Sequence, residues 1–153
     1  MSRSRAKHTG NHVLDSFALL VWLRNEPGAG IVQTLLEEAK EGRTQIYVSW
    51  LNVAEVYYIT QRRSVAPDPK LAADRVIEVI ENLPVQTVSI SKTEAIAAAR
   101  LKADYAISLA DAFAAALAKT YNAMVVTGDP EFEAMDTNQE VPILWLPVKS
   151  GRK

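Results

Sequence analysis

Hydrophobic positions along the chain alternate between the spacing of helices and that of buried strands. Leu109, Phe113, Leu117 and Tyr121 recur every four residues, and alanines fill most positions between them. This pattern predicts a helix that is buried on nearly every side. A continuous apolar run follows at 124–127, with the length of a buried parallel strand. The two elements predict a helix–strand unit at the centre of the fold.

The same alternation continues through the rest of the sequence. A chain in which strands alternate with helices forms a parallel sheet with helices on both faces. The sequence therefore predicts one α/β domain with a parallel central sheet of four to five strands. We expect this domain to cover 12–147, between basic tails at 1–11 and 148–153. Strands are predicted at 12–14, 45–48, 85–90, 124–127 and 141–146, helices at 17–24, 31–40, 51–62, 69–82, 91–104 and 109–121, and a short helical turn at 131–136.

The composition narrows the chemistry that the chain can perform. Its formal net charge of −1 at pH 7 predicts no general affinity for nucleic acid, so phosphate contacts must come from local basic residues or acid-bound metal ions. The absence of cysteine excludes disulfides, Cys-ligated zinc and a Cys nucleophile, and fits a cytoplasmic protein. His8 and His12 are weak candidates for metal ligands. The apolar run at 17–23 is too short for a membrane span and lacks the layout of a signal peptide, so no membrane association is expected.

Four acidic residues are predicted to meet at one edge of the sheet. Asp15 follows the first strand and Asp129 follows the fourth, while Glu55 and Asp111 lie near the starts of helices that adjoin strands. Because ligands of such sheets bind beyond the carboxyl ends of the strands, these positions mark a candidate site. Carboxylates that close repel one another unless a cation neutralises them. Oxygen ligands without cysteine favour Mg²⁺ or Mn²⁺ over zinc.

Each of these acids also has an ordinary structural explanation. Asp15 would cap the helix that follows it, and Ser108 with Asp111 has the spacing of a capping box. Asp129 would be a turn residue, and Glu55 would be solvated on its helix, although no cation stands at the neighbouring helical positions after it. All four explanations would have to hold at the same edge of the sheet, so a shared metal site is the preferred interpretation.

The motifs that contain these acids resemble those of a known family. They are Asp15-Ser16 after a short strand, Asn52-Val53-Ala54-Glu55 early in a helix, Ser108-Leu109-Ala110-Asp111-Ala112, and Val126-Thr127-Gly128-Asp129-Pro130-Glu131-Phe132. In this order and spacing they are similar to the motifs of the PIN-domain nucleases, and most similar to those of VapC-type toxins of toxin–antitoxin pairs. The resemblance covers about 12–147.

The resemblance implies a compact parallel sheet, RNA as the substrate and a catalytic metal site. It implies that one or two Mg²⁺ or Mn²⁺ ions are bound by four catalytic carboxylates: Asp15, Glu55, Asp111 and Asp129. It also suggests supporting roles for Ser16 and Thr127, whose hydroxyls would orient a water or an acid, and for Glu131 as a fifth acid. The implied partners are a second copy of the chain, as a homodimer, and a small antitoxin that masks the site.

Other interpretations remain open at the level of sequence. An aspartyl-phosphate phosphatase would use Asp15 as its nucleophile, but the second acid it needs would stand where Phe17 is. A phospho-receiver needs a lysine near the last strand, and Lys149 lies beyond it. A PIN-like fold that binds RNA or a protein without turnover is a further alternative. The apolar helix at 17–23 and the Tyr57-Tyr58 pair belong either to the core or to a partner surface.

Several basic residues are candidates for contacts with phosphates. The alternative for each is an ordinary solvated surface charge. These candidates are Arg24, Arg62, Arg63 and Lys119.

Overall fold

The fold is built on a five-stranded parallel sheet, seen in a computed structural model that describes residues 10–148. The strand order is β3-β2-β1-β4-β5, and every neighbouring pair is parallel. The predicted α/β architecture is therefore confirmed. The strands are β1 (Gly10–Leu14), β2 (Thr44–Ser49), β3 (Gln86–Val88), β4 (Ala123–Thr127) and β5 (Ile143–Trp145).

Helices connect the strands and cover both faces of the sheet. Side-chain caps fix where several of them begin: Ser49, Asp68 and Ser91 each accept a hydrogen bond from a backbone N–H group in the first turn that follows. The helices are α1 (Ser16–Leu23), α2 (Ala29–Lys40), α3 (Trp50–Arg63), α4 (Pro69–Glu81), α5 (Lys92–Asp104), α6 (Leu109–Tyr121) and α7 (Glu133–Thr137), with a 3₁₀ turn at Pro130–Phe132.

Strand β1 lies at the centre of the sheet, between β2 and β4. Val13 pairs in register with Tyr47 of β2 and with Val125 of β4. After β1 the chain adds β2 and β3 on one side of it, and then crosses over to add β4 and β5 on the other side. The crevice beyond the carboxyl ends of β1 and β4 is thus a topological switch point, where open α/β sheets bind their ligands.

The two faces of the sheet bury separate hydrophobic layers. One layer contains Val13 and Val125 together with positions 110–118 of α6, all of which are buried. The other contains Leu14 and Val126 together with apolar residues of α1, α2 and α3. The prediction of a central helix that is buried on nearly every side is confirmed for positions 110–118 of α6, whereas Leu109, the first residue of the predicted apolar repeat, is exposed. In α1, Ala18, Leu19 and Val21 are core residues, whereas Leu20, Trp22 and Leu23 are only partly buried.

Strand ends are where the predicted boundaries were wrong. Strand β1 begins at Gly10, so residues 10 and 11 belong to the sheet and not to a tail. Strand β3 spans Gln86–Val88 instead of 85–90, and β5 spans Ile143–Trp145 instead of 141–146. Both are edge strands, and each pairs over three residues with a single neighbour. The rest of the predicted tails, 1–9 and 149–153, lies outside the described residues, as does His8.

His12 is buried in the middle of β1, and its Nδ1 lies 2.8 Å from Thr44 Oγ1. It is therefore a residue of the sheet interior and does not lie at the carboxyl edge with the acids. Within residues 10–148, no helix has both the length and the apolar character needed to cross a membrane.

Candidate active site

Asp15 lies at the junction between β1 and α1 and is fully buried. Its Oδ1 accepts a hydrogen bond of 2.9 Å from the Ala18 N–H group, so it does cap α1 as an ordinary N-cap would. Its Oδ2 is buried and makes no hydrogen bond within the described part of the chain. Capping thus uses one carboxylate oxygen and leaves the second available.

Burial raises the pKa of Asp15 to about 7, above the ordinary value of 3.8. The nearby Thr127 hydroxyl and the hydrogen bond from the Ala18 N–H group partly offset this effect, and the negative charges of Asp129 and Glu55 add to it. The ionised form of Asp15 is therefore disfavoured as long as no positive charge lies beside it.

Asp111 lies in the first turn of α6 but does not complete the predicted capping box. Ser108 Oγ accepts a hydrogen bond of 3.1 Å from the Asp111 N–H group, as expected for an N-cap. The Ser108 N–H group, which a capping box would pair with the carboxylate of Asp111, instead donates to Glu131 Oε1 at 3.0 Å. The Asp111 side chain is therefore directed to other neighbours, and its Oδ2 is buried without a hydrogen-bond partner in residues 10–148.

Asp111, Asp129 and Glu131 form one compact group, in which an oxygen of each carboxylate lies within 4.8 Å of the others. The tight turn after β4 creates it: Thr127 Oγ1 accepts from the Asp129 N–H group at 3.0 Å, and Asp129 Oδ1 accepts from the Glu131 N–H group at 2.9 Å. Asp129 is thus a turn residue as well as a member of the group. The group runs from buried Asp111 to exposed Glu131, so it is open to solvent on one side.

The group carries less negative charge than its residue types suggest. Burial raises the pKa of Asp111, and its hydrogen bond with Glu131 and the negative charge of Asp15 raise it further. The same hydrogen bond with Asp111 is the main cause that lowers the pKa of Glu131. The two carboxyl groups therefore share one proton in the metal-free protein.

Asp15 and Glu55 lie at the border of this compact group. The charge of Asp15 acts on Asp111, and the charge of Glu55 acts on Asp15. Glu55 is only half-buried on α3, and the structure does not bring it into the group of three. Glu131 takes that place, although only a supporting role was predicted for it.

These residues fit a hard divalent cation. The donor set consists of carboxylate oxygens, which Mg²⁺ and Mn²⁺ prefer. Two buried carboxylate oxygens, Asp15 Oδ2 and Asp111 Oδ2, have no hydrogen-bond partner among the described residues, which is rare for charged groups. A shared proton relieves the repulsion in the metal-free protein, and a dication would relieve it more completely.

Asn52 connects the helices that carry these acids. It is fully buried, and its Nδ2 donates to Ser16 Oγ at 3.0 Å and to the Ala110 carbonyl at 3.3 Å. Ser16 Oγ in turn donates to the Asn52 carbonyl at 3.3 Å. This network joins α1, α3 and α6 one residue away from Asp15 and Asp111. Asn52 belongs to one of the four motifs but is not among the predicted site residues; its amide on an otherwise apolar helix turn was the available signal.

The predicted phosphate contacts differ in their positions. Arg24 and Arg63 are exposed and line a groove of about 290 Å³ between α1, α3 and α4. Arg62 is exposed next to Tyr58 on α3. Lys119 pairs with Glu140 and lies eight residues, or about 12 Å, along α6 from Asp111, so its position does not support a phosphate contact at the acids.

Lys102 is a cation near the acids that is not among the predicted site residues. Its Nζ donates to the Ile107 carbonyl at 2.7 Å, and its charge helps to lower the pKa of Glu131. It lies on α5, outside the motifs, and only the packing of α5 against α6 brings it near the site. No spacing in the sequence could have indicated it.

Gly128 is required by the close approach of Phe17 to the turn that holds Asp129. A Cβ atom at position 128 would lie 2.4 Å from Phe17 Cε1 and 3.2 Å from the Leu146 carbonyl oxygen. We expect Gly128→Ala to lower the free energy of unfolding by about 1–3 kcal/mol, since the ring and the turn must move apart. Chemical denaturation at pH 8 measures the change.

Gly30→Ala is the matched control for that substitution. Position 30 lies in the first turn of α2, and a Cβ there would meet nothing within 4 Å in the described part of the chain. We expect it to leave stability unchanged or to raise it by up to about 1 kcal/mol, because alanine favours the helix. Equal losses in both variants would contradict the steric explanation.

Several solved structures share this fold. VapBC2 from Rickettsia felis, bound to a DNA fragment from its promoter, is 15% identical, with a TM-score of 0.68 over 90% of this chain and 99% of that one. VapC20 from Mycobacterium tuberculosis, described as a sarcin-ricin loop cleaving toxin, is 16% identical, with a TM-score of 0.60 over 81% and 93%. FitAcB from Neisseria gonorrhoeae is 23% identical, with a TM-score of 0.59 over 87% and 96%. At such identities the similarity establishes the fold.

The family follows from the sequence itself. No curated protein matches the chain by sequence. The family model of the PIN domain matches residues 12–138, which include the switch-point crevice and all five acids described above. The match extends over more than half of the 153 residues. With this match and the observed topology together, the chain belongs to the PIN domain family.

Proposed function

We propose that this protein is a metal-dependent endoribonuclease and the toxin of a type II toxin–antitoxin pair. One observation carries the proposal: carboxylates from α6 and from the turn after β4 converge within 4.8 Å at the switch point. At this site, two buried carboxylate oxygens, Asp111 Oδ2 in the group and Asp15 Oδ2 beside it, lack any hydrogen-bond partner in residues 10–148. Carboxylates held this close together are stable only with a proton or a cation between them, and the side of the group that faces solvent admits a substrate.

The residues that would hold the ion are Asp111, Asp129 and Glu131, with Asp15 beside them and Glu55 at the border. When bound, Mg²⁺ or Mn²⁺ supplies a lower pKa for an attacking water and neutralises the charge that develops on the phosphate oxygens. We infer one or two ions.

The chain's own residues prepare the site in three ways. Asn52 and Ser16 keep Asp15 and Asp111 at a fixed separation through their hydrogen bonds. Thr127 holds the Asp129 backbone, and Asp129 holds that of Glu131. The proton shared by Asp111 and Glu131 must leave before a cation binds, so we expect the affinity for metal to rise with pH.

RNA is the substrate class that the similarity to a solved toxin structure favours. VapC20, which shares the fold, is described as a toxin that cleaves the sarcin-ricin loop. The phosphatase alternative is disfavoured because Phe17 occupies the position of its second acid and packs against the backbone at Gly128. The second candidate is a PIN domain that binds RNA without turnover. Such a protein would have the same acidic group and the same crevice and would differ only in not cleaving the RNA.

An antitoxin partner, a homodimer and a cytoplasmic location complete the proposal. Toxin–antitoxin complexes from Klebsiella pneumoniae and Salmonella typhimurium share the fold, the second one as VapBC bound to DNA. The partly buried apolar residues of α1 and the groove between α1, α3 and α4 provide apolar surface for such a partner.

A hydrolysis assay tests the proposal directly. Single-stranded and structured RNAs are incubated with the purified protein in Mg²⁺, in Mn²⁺ or in EDTA. We expect cleavage in either metal and none in EDTA, with activity restored when metal is added back. Cleavage of equal rate in EDTA would overturn the metal-dependent mechanism, and binding without cleavage in both metals would favour the second candidate.

A further inference from the structure

Tyr58 and Arg62 form an exposed aromatic–cation pair on α3. The guanidinium carbon of Arg62 lies over the ring of Tyr58, 5.1 Å from its centroid, which is the geometry of a cation–π contact. Despite this contact, Tyr58 remains 45% exposed. An aromatic ring held by a cation on one side and open to solvent on another is unusual for a residue that only fills a core.

The pair is linked directly to the candidate active site. Tyr58 lies one helical turn after Glu55, and its Oη is 3.5 Å from Glu55 Oε2. Glu55 lies in the second turn of α3, which begins directly after β2, and its charge acts on Asp15. Tyr58 is therefore one helical turn further from the acidic crevice than Glu55. Tyr57, the next residue in the sequence, points elsewhere and donates from its Oη to Asp74 Oδ1 at 2.8 Å on α4. Of these two tyrosines, only Tyr58 makes a contact with an acid at the border of the site.

We propose that Tyr58 and Arg62 form a binding subsite for single-stranded RNA, in which a nucleobase next to the scissile phosphate stacks on Tyr58 and Arg62 contacts a neighbouring phosphate. This inference rests on the proposed ribonuclease function and names the part of the substrate that this edge of the site takes. Stacking on aromatic side chains is how proteins hold single strands, since every base offers a π-face.

The electrostatics of the crevice favour this occupant. The acidic group at the centre repels phosphate wherever no metal lies between them, so a strand needs attractive contacts at the margin. Tyr58 offers a contact that is independent of charge. Arg62 lies two helical turns after Glu55, about 10 Å along α3, so its charge can contact a phosphate of the strand only beyond the one at the acids. A protein partner that covers this surface would bury the ring as well, but it would give Tyr58 no effect on RNA binding.

Binding is measured in an Asp111→Asn background with Mg²⁺, so that the RNA stays intact. The probe is a fluorescein-labelled single-stranded 10-mer RNA of mixed sequence, followed by fluorescence anisotropy. We expect Tyr58→Ala to raise Kd by about five- to hundredfold, because one stacked base is lost. Tyr58→Phe, which keeps the ring and loses the contact with Glu55, should stay within about twofold. Leu71→Ala removes a side chain of similar exposure (44%) on α4 and serves as the control.

Arg62→Gln tests the charged half of the subsite by its salt dependence. The association constant falls as salt is added, and each phosphate contact steepens this fall. Loss of one contact should therefore make the slope of log K for association against log salt concentration less negative by about 0.7, the value for a single strand. A blunt-ended RNA duplex whose bases are already paired and stacked should not distinguish Tyr58→Ala from the parent protein. Thermal unfolding of each variant establishes that the fold is intact.

In the active protein, Tyr58→Ala should raise KM while kcat stays within about threefold. The inference is overturned if Tyr58→Ala binds the 10-mer with the same Kd as Leu71→Ala. It is also overturned if Tyr58→Phe loses as much affinity as Tyr58→Ala, because the contact with Glu55 and not the aromatic ring would then determine binding. Failure of the proposed function gives a different result: the parent protein would cleave no RNA in Mg²⁺ or Mn²⁺, whatever the outcome for Tyr58.

Discussion

Asp111→Asn should reduce RNA hydrolysis in Mg²⁺ by about a thousandfold or more. The substitution keeps the shape of the side chain but removes the negative charge that would hold the cation. Removing one group that stabilises the charge of the transition state lowers kcat by about two to three orders of magnitude. Loss of the metal ion lowers the rate further, because the ion also activates the attacking water. The measurement is the initial rate of cleavage of a labelled RNA under single-turnover conditions.

The fold should survive this change. Asp111 shares a proton with Glu131 in the metal-free protein, so a neutral amide replaces a side chain that is already largely neutral. We therefore expect the melting temperature of Asp111→Asn in EDTA to equal or exceed that of the parent protein. Loss of activity with an intact melting temperature separates a chemical role from a structural one.

Asp104→Asn is the control for that experiment. Asp104 is exposed at the end of α5, so the substitution makes the same change in charge on the surface. We expect its rate to stay within about twofold of the parent rate. If Asp111→Asn retained the parent rate, the cleaving activity would not come from this site, and a contaminating nuclease would have to be sought.

The sequence was sufficient for the fold because local and global signals agree in this chain. The all-round apolar pattern of α6 could only belong to a helix between sheet and other helices, and that is where it lies. Edge strands carried no comparable signal. The length of β3 is set by how far the end of β2 offers partners, from Tyr47 to Ser49, and this is a property of two segments that are distant in sequence.

The site was predictable in part, for a related reason. Asp15 directly follows β1, and Asp129 lies two residues after the end of the adjacent strand β4, so parallel topology alone brings them to one edge. The position of Glu131 depends on the 3₁₀ turn at Pro130–Phe132, and its contact with the Ser108 N–H group depends on the docking of α6. Lys102 and the hydrogen bonds of Asn52 likewise arise from helix packing, which periodicity does not encode.

Asp15→Asn should stabilise the metal-free protein at pH 8. The pKa of Asp15 is raised from 3.8 to about 7 in the folded protein, mainly because the carboxylate is buried. Neutral Asp15 is tolerated in the core, so its contribution to stability is complete below the unfolded pKa near 4. This contribution is lost as the pH rises through about 7, where the folded protein has to bury the charge. The difference between the folded and unfolded pKa values corresponds to a loss in the free energy of unfolding of at most about 4 kcal/mol. Asparagine cannot ionise, and its Oδ1 can still accept from the Ala18 N–H group.

Denaturation in EDTA at several pH values between 4 and 8 measures this effect. The parent protein should lose stability across that range, and the Asp15→Asn variant should lose less, because the buried charge at position 15 never forms. Asp68→Asn is the matched control: Asp68 caps α4 in the same way, through a hydrogen bond of 3.1 Å from the Leu71 N–H group, but at the surface. We expect that substitution to change stability by less than about 0.5 kcal/mol at every pH.

Addition of Mg²⁺ should reverse the order of the two proteins. A cation that binds the folded state alone stabilises it by an amount that grows with its concentration relative to Kd, and the ionised Asp15 that is costly without metal becomes favourable beside it. The melting temperature of the parent protein at pH 8 should therefore rise with Mg²⁺ more than that of Asp15→Asn. If Asp15→Asn were instead the less stable protein in EDTA at pH 8, the buried carboxylate would be a structural cap whose charge the fold already satisfies, and it would no longer be a ligand kept ready for a cation.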